Sequence, residues 1–63
     1  MPRRTDQLVK SAASYLNTNP NRAKRYIEEV QVIMGNSADT RQFVCRICPE
    51  QSEDLLLLIN ENS

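Results

Sequence analysis

The stretch NPNRAKRYIEEVQVIMG, residues 19–35, carries helix punctuation at both ends and a helical period between them. Asn19 can cap the start, and Pro20 suits a first helical position whose N–H would go unused in any case. Gly35 can take the left-handed conformation that closes a helix. Between these marks Ala23, Tyr26, Ile27, Val30, Ile33 and Met34 recur at three- and four-residue steps. At about 100° per residue they fill an arc of roughly 120°. Arg22, Lys24, Arg25, Glu28, Glu29 and Gln31 fall outside that arc, and Val32 lies opposite it, where solvent is expected.

Upstream, Thr5 or Asp6 can cap a first helix over residues 5–17, with Leu8, Val9, Ala12, Ala13 and Leu16 on one side. Residues 1–4 read as a frayed basic arm. The break at 17–20 is short, and two helices joined so tightly form an αα-hairpin. Downstream of Gly35 two readings compete. Asp39 followed by Gln42 resembles a capping box, giving a helix over 40–48 with Phe43, Val44, Ile47 and Cys48 on one face. The rival takes the β-prone run 42–47, pairs it with 30–34 in a β-hairpin, and makes the fold α+β. The unbroken helical period through Met34 favours the helix.

Pro49 ends that element and can begin a last helix over 50–60. Glu50, Glu53 and Asp54 complement the dipole at its start. Residues 55–59, LLLLI, are apolar all round the axis, so that segment cannot keep a solvated face along its whole length. The expected fold is therefore all-α: a single domain, a small bundle of three to four short helices built on the N-terminal αα-hairpin.

A chain of 63 residues buries only about 60% of its unfolded surface, so its own core is thin and self-association is favoured. Eight basic and eight acidic residues cancel, but unevenly along the chain. Residues 1–25 hold six basic side chains and one acidic, residues 26–63 two basic and seven acidic. That asymmetry fits either a dipolar surface or a basic site for an acidic partner or a nucleic acid. The N-terminal residues do not read as a signal peptide, and the longest apolar run falls far short of the roughly 20 residues that span a bilayer. Two cysteines do not make a secreted disulfide scaffold, which points to a reducing, cytoplasmic compartment.

Catalytic chemistry finds little to work with. The chain has no histidine, a single glycine and no nucleophile with an evident base, so it reads as non-enzymatic, with no cofactor and no small-molecule substrate. Cys45 and Cys48 form a lone CxxC. Zinc would need a symmetric dimer to complete a four-cysteine site, and the plainer reading is two small apolar residues at the core.

Three surfaces remain. Val32, Leu56 and Leu57 form a candidate apolar site for a second copy or another protein. Arg22, Lys24 and Arg25 sit where cations oppose the helix dipole, beside N–H groups that suit an anion or an acidic partner. Structurally, Lys24–Glu28 and Arg25–Glu29 are i,i+4 pairs in the weaker, base-first order. In a DNA-binding alternative, residues 40–48 present Thr40, Arg41, Gln42, Cys45 and Arg46 outward. Arg41 and Gln42 then read bases, Arg46 meets a phosphate, and Arg3 and Arg4 extend the contact. The favoured expectation is a small regulatory or adaptor protein that works by protein–protein binding, as a homodimer.

Overall fold

The computed structural model describes residues 3–61. They form helices α1 (Arg4–Tyr15), α2 (Pro20–Met34) and α3 (Ser37–Ile47), a 3₁₀ turn at Pro49–Gln51 and a short α4 (Ser52–Leu56). No strand occurs among the described residues, so the all-helical reading holds and the β-hairpin at 30–47 does not form. The α1–α2 hairpin is the most extensive helix pairing in the molecule.

The central helix follows its punctuation. Asn19 Oδ1 accepts the Arg22 N–H at 3.2 Å, Pro20 occupies the first turn, and Gly35 closes the helix at φ +92°, its N–H returning to the Gln31 carbonyl. The hairpin loop is held by the Tyr15 carbonyl, which accepts from the N–H groups of Thr18 and Asn19 at 3.2 and 2.8 Å.

The third helix starts three residues before the expected Thr40. Asn36 rather than Asp39 is its cap, with Asn36 Oδ1 accepting the Asp39 N–H at 2.7 Å. Arg4 likewise belongs to α1 rather than to a loose arm, and its guanidinium meets Glu29 at 3.0 Å. Arg3 is the residue that precedes this helix, and residues 1 and 2 of the expected arm lie outside the described residues.

The core takes Leu8, Val9 and Ala12 from α1, Ala23, Ile27 and Val30 from α2, Phe43 and Val44 from α3, with Leu55 and Ile59 closing it. Ala12 and Ala23 are fully buried, so the first two helices approach over small side chains. The molecule is 18 Å across its thinnest direction, about two helix diameters at most. One layer of side chains is all the core it can hold.

Three positions differ from the periodic pattern. Ile33 is half exposed, outside the buried arc to which its spacing assigned it. Gln31 and Thr40, both expected outward, are buried. Thr40 Oγ1 donates to the Asn36 carbonyl one turn back at 2.7 Å, so its hydroxyl is satisfied locally and its methyl can face the core. Gln31 Nε2 donates to the Asn60 carbonyl at 2.6 Å, and its Oε1 accepts the Asn60 N–H at 3.0 Å. This amide clamp holds the end of the fourth segment against α2.

The leucine run shows why that clamp matters. Its helix stops at Leu56, and Leu57, Leu58 and Ile59 continue in tighter i→i−3 turns. An α-helix carried through 60 would spread five apolar residues around its axis. The tighter path instead buries Leu55 and Ile59, half-buries Leu56 and Leu58, and turns Leu57 outward.

Candidate functional site

The expected basic site lies at the start of α2, and the fold adds two aromatic rings to it. Tyr15, at the end of α1, and Tyr26, on α2, stack with ring centroids 5.9 Å apart and planes inclined by 21°. The Arg22 guanidinium lies 4.8 Å from the Tyr15 ring centroid and 5.9 Å from that of Tyr26. Its Nε donates to the Tyr26 hydroxyl at 3.3 Å. That hydrogen bond, followed by the electrostatic effect of the two phenols, raises the pKa of an already strongly basic group. Asn19, Arg22, Arg25 and Tyr26 line an open cleft of about 440 Å³ beside the stack.

Sequence spacing locates the cations here but not the rings. Tyr26 reads as a core position and Tyr15 as a border residue, and only folding the hairpin brings them together. The backbone contribution is smaller than helix-start geometry implies. Pro20 has no N–H, and the N–H groups of Arg22 and Ala23 are both bonded to Asn19. An anion in this cleft would be met by side chains.

The expected i,i+4 pairs do not form. Glu29 is taken by Arg4, and neither Arg25 nor Lys24 has an ion pair among the described residues. With the base N-terminal to the acid the paired side chains are poorly directed toward each other, and Arg4 reaches Glu29 from the neighbouring helix.

The apolar candidates separate. Val32 and Leu57 are 80% and 81% exposed, while Leu56 is half-buried and packs on the core. Val32 borders a cleft with Glu28, Gln31, Gly35 and Asn60. A second cleft, bordered by Leu57, Leu58 and Lys24, shares Glu28 and Asn60 with the first. Val32 and Leu57 therefore border adjoining clefts that meet at Glu28 and Asn60.

On α3, Gln42 and Arg46 are exposed, with the Arg46 guanidinium 5.6 Å from the Phe43 ring. Arg41 is engaged by Glu61, as Arg4 is by Glu29. Arg3 is exposed at the start of α1, and Thr40 is removed from the candidate DNA contacts by burial. Cys45 is exposed and Cys48 half-buried, both as free thiols. Burial pushes the Cys48 thiol above its ordinary value, with Lys10 opposing the shift. The described residues contain no cluster of three or more potential metal ligands. No described helix is long and apolar enough to cross a membrane.

No family model, curated protein or solved structure matches the chain.

Proposed function

We propose that this is a small, non-enzymatic regulatory or adaptor protein of the cytoplasm that works by binding protein, its own second copy included. The observation that carries the reading is the pair of four-fifths-exposed apolar side chains, Val32 and Leu57, on adjoining clefts of a molecule with a single-layer core. Isolated exposed apolar residues are ordinary, but two beside linked concavities offer anchor points. They cover far less than the roughly 800 Å² per partner of a standard interface, so the polar surface around Glu28 and Lys24 must share the contact.

DNA binding is the weaker reading. Two of its arginines are engaged with glutamates, and the net charge of zero gives no long-range attraction toward a polyanion. Sedimentation equilibrium tests the preferred one. The parent protein should self-associate, and V32E/L57E should run as a monomer with unchanged helical circular dichroism. A parent that stays monomeric at millimolar concentration would remove the homodimer from the proposal.

A further inference from the structure

We propose that the Tyr15–Arg22–Tyr26 stack, together with Arg25, is a receptor for the carboxylates of an acidic protein segment. The inference rests on the protein-binding reading but uses a cleft that shares no lining residue with the Val32 and Leu57 clefts.

Four observations converge on it. The first is preorganisation. An exposed arginine ordinarily samples many rotamers, whereas Arg22 is laid across two rings and tethered through Nε to the Tyr26 hydroxyl. Its Nη edge remains available beside the cleft, so less freedom is lost on binding. The second is unmet charge. Arg22 and Arg25 line the same cleft, have no ion pair among the described residues, and stand at the end of α2 where cations are disfavoured. An anion relieves all of these at once.

The third is donor geometry. With the Arg22 and Ala23 N–H groups bonded to Asn19, recognition falls to the guanidinium groups, whose planar forks match the two oxygens of a carboxylate. The fourth decides the class of partner. A nucleic acid is held by a series of cations following its backbone. Here two glutamates, Glu28 and Glu29, follow Arg25 on the same helix, and Glu28 is exposed beside Lys24. A short acidic stretch meets Arg22 and Arg25 without running across these glutamates.

The chain has two tyrosines and no tryptophan, so its intrinsic emission comes from this cluster. The experiment titrates the whole protein at low salt with a blocked pentapeptide of glutamate and aspartate. The control is its glutamine–asparagine counterpart. Tyrosine emission and backbone amide shifts are followed together. The acidic peptide alone should give a saturable response, with amide shifts centred on residues 15–26. R22Q and R25Q should each weaken it about tenfold. R22K should weaken it nearly as much, because lysine keeps the charge and loses the planar fork.

Three outcomes would overturn the proposal: an equal response to the neutral peptide, unimpaired binding by R22K, or tighter occupation of the same residues by a duplex oligonucleotide. The shift map of the parent protein locates the bound peptide even if a variant folds poorly. V32E/L57E should retain the peptide response, so failure here and failure of the apolar site are separable.

Discussion

At the scale of single residues, Gln31 most clearly departs from the binary pattern. Its place in the sequence is that of a solvated helix position, yet it is buried and spends both ends of its amide on the Asn60 backbone. A neutral side-chain amide carries both N–H donors and a carbonyl acceptor, so it can serve the carbonyl and the N–H of one residue together. Gln31→Leu keeps the bulk and removes both bonds. It should destabilise the fold by about 1–2 kcal/mol, measured by urea unfolding, since each net hydrogen bond contributes about 0.5–1.5 kcal/mol. Gln31→Glu keeps the acceptor but places a charge against the Asn60 carbonyl, and should cost at least as much at neutral pH. Full stability in both variants would mean that the clamp contributes nothing.

At the scale of elements, the caps carry most of what periodicity leaves undecided. Asn36→Ala removes the acceptor for the Asp39 N–H and should lower stability by about 1 kcal/mol in the same unfolding measurement. Gly35→Ala meets no neighbouring atom, so any loss comes from the φ of +92° alone. It should also be about 1 kcal/mol, with no change in the slope of the transition. These positions also show what the sequence could reveal. The hairpin and the exact span of α2 were legible because Asn19, Pro20 and Gly35 act locally. The start of α3 was not, because Asn36 and Asp39 are both good caps and only the tertiary position of Thr40 and Phe43 selects between them. The tight path after Leu56 was invisible for a similar reason, since it depends on an amide 29 positions upstream. Of the candidate site, Arg22 and Arg25 were readable as charge. The packing of Arg22 on Tyr15 was not, because it arises from closing the hairpin.

At the scale of the whole molecule, pH acts through a thiol. Burial raises the pKa of Cys48 in the folded state, so the fold favours the protonated form. The associated stability is complete below the ordinary thiol value, declines as pH rises through the raised one, and then levels off. Thermal unfolding followed from pH 7 to 11 should show this decline, and Cys48→Ala should remove its contribution. Alkylation at pH 7.5 followed by mass spectrometry should label exposed Cys45 before Cys48. The reverse order would contradict the thiol environments described above.

The clamp between Gln31 and Asn60 also sets an order of events in time. The α1–α2 hairpin closes a loop of a few residues, whereas the clamp must draw together groups 29 positions apart. The longer closure loses more chain entropy and comes later. By the same reasoning it releases more readily than the hairpin when the native molecule fluctuates. Amide exchange should therefore run faster at residues 55–60 than in the middle of α2. Each release uncovers Leu55 and Ile59, apolar side chains that the closed molecule hides. The apolar area the molecule exposes thus depends in part on how often its last turn lets go.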